Sequence, residues 1–128
     1  MQLGINFGST FYRQNYPYQV KKGSSGITCV QTVINDWFRA KKFTLKCEIT
    51  TPTGKTVLPW YGIGRYTGEL GFRKKAMFMF PVDFATLRIK GLTDADFICD
   101  TETLWKFVFT LTAEGKDPQV RHRVLYVA

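Results

Sequence analysis

The chain predicts an all-β protein: a single antiparallel β-sandwich of about seven strands with an extended N-terminal arm. Three observations predict it. The first is alternation. Trp105, Phe107, Phe109 and Leu111 interleave with Lys106, Val108, Thr110 and Thr112, and Phe43, Leu45, Cys47 and Ile49 with Thr44, Lys46, Glu48 and Thr50. Successive strand side chains point to opposite faces, so each run writes one buried and one solvated face. The second is punctuation, because turn residues recur roughly every 8–12 positions, the interval of a sandwich or small barrel. The third is composition: aromatics make up 16% of the 128 residues, and rings fit the half-buried pleated surface of a sheet. A chain of this length is one domain with room for its own core.

Residues 1–26 break the pattern. Phe7, Phe11, Tyr12, Tyr16 and Tyr18 are scattered among Gly, Ser, Asn and Gln, and no period of 3.6 or 2.0 is sustained. A polar, Gly-rich stretch packs no core alone, so its rings need a surface to rest on. That surface is either the chain's own domain or another subunit. The joint Gly23-Ser24-Ser25-Gly26 reads as a flexible tether. The expected division is therefore an arm, 1–26, and a sandwich domain, 27–128, with the five aromatics binding a partner.

The strands then follow in order. Residues 27–34 are the first, and Asn35-Asp36 starts a connection containing Trp37-Phe38. After Lys41 and Lys42 comes the alternating run 43–50, and Thr51-Pro52-Thr53-Gly54-Lys55 makes a turn. Residues 56–61 return as its partner, with Pro59 marking an edge or bulge. Gly62, Gly64, Gly68 and Gly71 make the next stretch a pliable loop exposing Arg65 and Tyr66. Residues 73–80 form a strand, 85–90 a short strand closed by Gly91, and 93–100 an acidic connection. That connection has room for one helical turn capped by Thr93. The terminal hairpin turns at Glu114-Gly115-Lys116-Asp117-Pro118. The expected core is Phe43, Leu45, Cys47, Ile49, Trp105, Phe107, Phe109 and Leu111.

Charge is uneven. Residues 1–90 hold fourteen Lys and Arg against four Asp and Glu, and residues 91–128 hold four against six, giving +10 and −2 and a net charge of +8. A basic majority favours a polyanion or an acidic protein surface. Arg65, Tyr66, Arg73, Lys74 and Lys75 form a basic and aromatic contact patch able to grip phosphates and stack a base. Asp94, Asp96, Asp100 and Glu102 form an acidic contact patch that suits a basic one.

Catalytic chemistry is thin, and the expectation is a protein that is not an enzyme and carries no cofactor or metal. His122 is the only histidine, set between Arg121 and Arg123, and no nucleophile can be paired with it. The acidic run lacks the glycine bend of a calcium loop. Gly62-Ile63-Gly64-Arg65-Tyr66-Thr67-Gly68 has dinucleotide-like glycines, but no helix follows to receive a pyrophosphate. Cys29, Cys47 and Cys99 are odd in number and without a C-x-x-C spacing, which argues against a knuckle or a disulfide framework. Cys47 reads as a small core hydrophobe. With no leader and no spanning stretch, the reading is cytoplasmic assembly, with no membrane and no small-molecule substrate.

The strand around Cys47, the following Trp60 and the closing pair at 105–113 and 119–127 resemble an immunoglobulin-like sandwich over about residues 27–128. The bridge of antibody domains is not evident, so antibody-type function does not carry over. A small β-sandwich with an aromatic arm also resembles the accessory structural proteins of tailed bacteriophage virions, which decorate or cement capsids or complete the neck and tail. That resemblance implies a virion structural protein assembled in the host cytoplasm. It would bind other virion proteins, and itself as an oligomer, through its arm, sheet edges and charged patches, with nucleic acid a secondary partner. The alternative is a basic single-stranded nucleic-acid-binding β-barrel of the oligonucleotide-binding type.

Overall fold

A computed structural model describes residues 4–8, 18–20, 26–58, 65–97 and 105–127. In chain order its strands are β1 (Ile5–Phe7), β2 (Tyr18–Val20), β3 (Gly26–Asn35), β4 (Lys41–Thr50), β5 (Thr56–Val57) and β6 (Arg65–Leu70). They continue with β7 (Lys75–Asp83), β8 (Trp105–Ala113) and β9 (Gln119–Val127). A helix α1 (Phe84–Ile89) and a 3-10 turn (Asp94–Phe97) follow β7.

The strands form two packed sheets, an all-β sandwich. The larger sheet runs β2-β9-β8-β4-β5, with β6 sharing the β5 edge of β4. In it β4 pairs antiparallel with β8 from Phe43↔Ala113 to Thr50↔Lys106, and β8 pairs with β9 from Trp105↔Leu125 to Leu111↔Gln119. The smaller sheet is β1-β3-β7, with β3 and β7 antiparallel from Gly26↔Asp83 to Ile34↔Lys75. At its start β3 runs so close to β7 that a Cβ on Gly26 would stand 2.0 Å from the Val82 carbonyl oxygen. Only glycine fits there.

The alternating runs bury the faces their pattern predicts. All eight expected core residues are buried, and Cys29, Val33, Phe80 and Val82 meet them from the smaller sheet. Phe80 and Phe109 join the two layers with ring centroids 5.4 Å apart. Cys29 and Cys47 are buried free thiols. Burial pushes Cys29 up to about 12, against the pull of Arg123. Cys47 is raised by burial and then by Cys29 and Glu48.

Three expectations are corrected. Residues 85–90 are not a strand, because Asp83 caps a helix there, accepting from the Ala85 amide and the Thr86 hydroxyl at 3.0 Å each. Helical spacing buries Phe84 and Leu87 together. Residues 65–70, expected in a loop, are strand β6, laid along Lys41–Lys46 of β4. The arm is also revised. β1 pairs with β3 at Ile5↔Asn35, Asn6↔Ile34 and Phe7↔Val33, and Ile5 is fully buried in the domain's own core.

The hairpin β8–β9 clamps β1 in place. Lys116 Nζ donates to the Ile5 carbonyl at 3.2 Å and to Asn6 Oδ1 at 2.6 Å. Gln119 Nε2 donates to the same carbonyl at 2.8 Å, and Arg121 to the Gly8 carbonyl at 2.8 Å. The Arg121 guanidinium also lies 5.0 Å from the Phe7 ring centroid. A three-residue strand is too short to write an alternation, so the sequence concealed it. Tyr18 opens β2, which pairs in parallel with β9 in the larger sheet. Phe11, Tyr12 and Tyr16 lie outside the described residues.

Candidate functional site

At the Lys41 end of β4, two loops meet around one buried side chain. Asn35, 1% exposed, ends β3. Its Nδ2 donates to the carbonyls of Arg39 at 2.8 Å, Leu70 at 3.0 Å and Gly71 at 3.1 Å. Its Oδ1 accepts from the Trp37 amide at 2.9 Å, and its own amide donates to the Lys74 carbonyl at 2.9 Å. One amide side chain thus fixes the β3–β4 connection against the β6–β7 turn. Buried polar groups must be satisfied, so these carbonyls hold the loops in one arrangement.

What the two loops present is aromatic and cationic. Phe38 and Phe72 are 59% and 51% exposed, and Trp37 is half-buried beside Phe38 with centroids 4.6 Å apart. Each ring carries a cation on a face: Arg39 over Phe38 at 5.3 Å, Lys41 over Trp37 at 5.7 Å and Arg73 over Phe72 at 5.1 Å. Lys42, Lys74 and Lys75 are exposed around them. Arg73 adopts a left-handed backbone with φ 53°, a conformation that costs a non-glycine residue about 1–2 kcal/mol. Such strain persists only where the surroundings impose it. Asp36, the carboxylate of the β3–β4 connection, is turned toward β1. Its amide donates to the Gly4 carbonyl at 2.8 Å and its Oδ2 accepts from Asn6 at 3.3 Å.

The sequence-predicted basic patch is therefore split. Arg73, Lys74 and Lys75 stand at this tip, and Arg65 is exposed on the outer face of β6 opposite Lys46. Tyr66 is not a stacking platform. It points inward, with its ring 5.0 Å from Phe78 and 5.2 Å from Phe80, and its hydroxyl donates to the Met79 carbonyl at 2.6 Å. Phe38 and Phe72 are the exposed rings that sequence reasoning missed. Their signal was a ring beside a cation within a turn, Phe38-Arg39 and Phe72-Arg73.

The acidic patch is corrected as well. Asp96 is fully buried and holds the opposite end of β4. It accepts from Thr51 at 3.0 Å, from Thr53, from Lys55 Nζ at 3.1 Å and from the Thr93 amide at 2.8 Å. Burial raises its carboxyl, but hydrogen bonds from Thr53, Thr93, Lys55 and Thr51 outweigh that and hold it well below the usual carboxylate range. Asp94 is exposed and paired with Arg88 at 2.5 Å. Asp100 and Glu102 lie outside the described residues. His122 stands opposite Val108 on β8, half-buried.

A second surface is the outer face of the smaller sheet. Met77 and Met79, 69% and 59% exposed, stand beside Thr32 and Val30 across the β3–β7 pairing. The neighbouring edge of β7 is blunted. Pro81 has no N–H to offer another strand, and the Met79 carbonyl is occupied by Tyr66.

The class these observations define is the immunoglobulin-like β-sandwich. No protein-family model matches the chain, and no curated protein matches it in sequence. Among solved structures it is similar to the periplasmic chaperone SfaE, with a TM-score of 0.52 at 13% identity. The match covers 97% of this chain and 57% of that one, so the chain spans little more than half the length of that neighbour. At that identity the likeness is one of fold.

Proposed function

We propose that the protein is a non-enzymatic structural component of a larger protein assembly, of the virion type its sequence resembles, and that it self-associates within it. The observation that carries this reading is the outer face of the smaller sheet. Met77 and Met79 project from β7 beside Val30 on β3, with Lys75 and Thr28 exposed on the same face. Exposed apolar patches rimmed by polar groups mark interaction sites. Methionine fills irregular gaps in such contacts because its side chain is unbranched and polarizable. The blunted β7 edge favours contact through the face over addition of a strand. Two such sheets from two copies would pack about 10 Å apart, as the sheets of one sandwich do. The likeness to a chaperone is in keeping with a protein partner.

Sedimentation over a range of concentrations tests this. The wild-type chain should associate reversibly, and Met77→Glu with Met79→Glu should leave a folded monomer. A wild-type chain that stays monomeric throughout, or a double variant that associates as before, would remove the reading.

A further inference from the structure

We infer that the tip built by the β3–β4 connection and the β6–β7 turn is a binding site for single-stranded nucleic acid, with Phe38 and Phe72 as base platforms. This goes beyond the assembly reading and does not rest on it. Residues 36–42 and 71–75 hold six cations, Arg39, Lys41, Lys42, Arg73, Lys74 and Lys75, against one carboxylate, Asp36. Asp36 is engaged by Asn6 on the β1 side. Glu69, opposite Lys42 on β6, is the nearest other acid in the pairing. Lys42 and Lys75 lie on the outer faces of the larger and smaller sheets, so the tip itself carries Arg39, Arg73 and Lys74 in its loops and Lys41 at the start of β4, a positive surface of the kind a phosphate backbone requires.

The rings add what charge alone does not. Binding of single strands combines a basic track with aromatic faces on which bases stack, independently of sequence. Phe38 and Phe72 are more than half exposed, and Asn35 fixes the carbonyls of their chain neighbours Arg39 and Gly71, so little backbone is ordered on binding. Each has a guanidinium over one face, at 5.3 and 5.1 Å. On Phe72 a base on the other face would complete an Arg–ring–base stack and leave the guanidinium beside the neighbouring phosphate, whereas Phe38, which also packs against Trp37 at 4.6 Å, would take a base together with that indole. The same geometry counts against a membrane surface. Seating these rings in hydrocarbon would draw Arg39 and Arg73 down with them, at the cost of burying charge. A duplex is also a poor fit, because its bases offer no free faces.

The test uses the full chain and a short labelled oligothymidylate, followed by fluorescence anisotropy at several salt concentrations. Stacking is worth about 1–3 kcal/mol per base, or roughly five- to 150-fold in affinity. Phe38→Ala and Phe72→Ala should each weaken binding within that range, and Phe38→Leu and Phe72→Leu, which keep the apolar bulk, should weaken it as much. Arg73→Gln with Lys74→Gln should reduce the slope of log affinity against log salt by about 0.7 per lost phosphate contact. Met77→Gln with Met79→Gln, which adds no charge beside Lys75, should bind as the wild type does, which separates this site from the assembly face. Ring variants that bind like the wild type would overturn the inference and leave only diffuse charge attraction. So would duplex bound as tightly as the single strand, or anionic phosphatidylserine vesicles captured through the rings while the oligonucleotide is not.

Discussion

The two ends of β4 solve one problem in opposite ways. Each gathers neighbouring loops around a single buried polar side chain, Asn35 at the Lys41 end and Asp96 beyond Thr50. Around Asp96 the aromatic rings turn inward. Phe84, Phe97 and Trp105 pack with centroids 5.2 to 5.6 Å apart, and Arg88 closes over Phe97 at 4.2 Å. Around Asn35 the rings turn outward, and Phe38 and Phe72 meet solvent. The first end spends its aromatics on the core, whereas the second holds a polar frame beneath rings whose contacts are with Trp37 and with exposed cations rather than with the core. That contrast locates the site.

The layer both ends rest on should be the most sensitive. Phe107 is fully buried on β8 opposite Ile49, and Phe107→Ala should cost about 3–5 kcal/mol in denaturant unfolding, transfer and cavity terms together. A loss under about 1 kcal/mol would mean that the inner face is not the shared foundation.

Next comes the closed end. Asp96→Ala leaves Thr51, Thr53 and Lys55 without their common acceptor and should cost about 3 kcal/mol at neutral pH. The sign of its pH dependence follows from its depressed carboxyl. Its folded value lies below the unfolded one of about 4. Its stabilisation is therefore fully present above about pH 4 and is lost as pH falls below that. Asp96→Asn should flatten the acid limb of a stability-against-pH curve, and an unchanged limb would assign acid sensitivity elsewhere. Lys55→Ala should cost under about 1 kcal/mol, because that partner is half exposed.

At the open end, Asn35→Ala should cost about 2 kcal/mol by leaving buried carbonyls unpaired. It should also weaken oligonucleotide binding although Asn35 lies under the site. Destabilisation with unchanged affinity would show that the clamp does not position Phe38 and Phe72.

How far these ends could be read from sequence differs for a physical reason. The long strands were legible because period-two burial is local: Phe43 to Ile49 and Trp105 to Leu111 announce their inner face in consecutive residues. β6 was not, since its inward positions are Tyr66, Gly68 and Leu70, and a glycine erases the alternation. α1 is hidden because Ala85, Leu87 and Ile89 mimic a strand's alternation, and its one local signal is the single capping residue Asp83. The clamps were invisible. Asn35 reaches Gly71 over 36 positions and Asp96 reaches Thr51 over 45, and a lone Asn or Asp carries no sign of such a partner. Sequence reasoning therefore found the cations at 73–75 but chose Tyr66, a core ring, as their aromatic companion.

The smallest effect is the sharpest probe of that division between stability and function. Arg73 is the described non-glycine residue with positive φ, in the turn where the Lys74 amide donates to the Gly71 carbonyl at 3.1 Å. Glycine takes this conformation without the Cβ penalty. Arg73→Gly should relieve about 1–2 kcal/mol of strain and forfeit about 0.5–1 kcal/mol of exposed cation–π contact with Phe72. The extra backbone freedom of a glycine in the unfolded chain offsets part of what remains. The net expectation is a variant as stable as the wild type or more stable by up to about 1 kcal/mol, yet weaker for the oligonucleotide and with a shallower salt dependence. Opposite movements of the two properties would mean that the chain tolerates a strained arginine at the tip for binding. If Arg73→Gly instead lost stability and kept its affinity, the open end would be a structural turn like its counterpart, and the contrast between the two ends would fall.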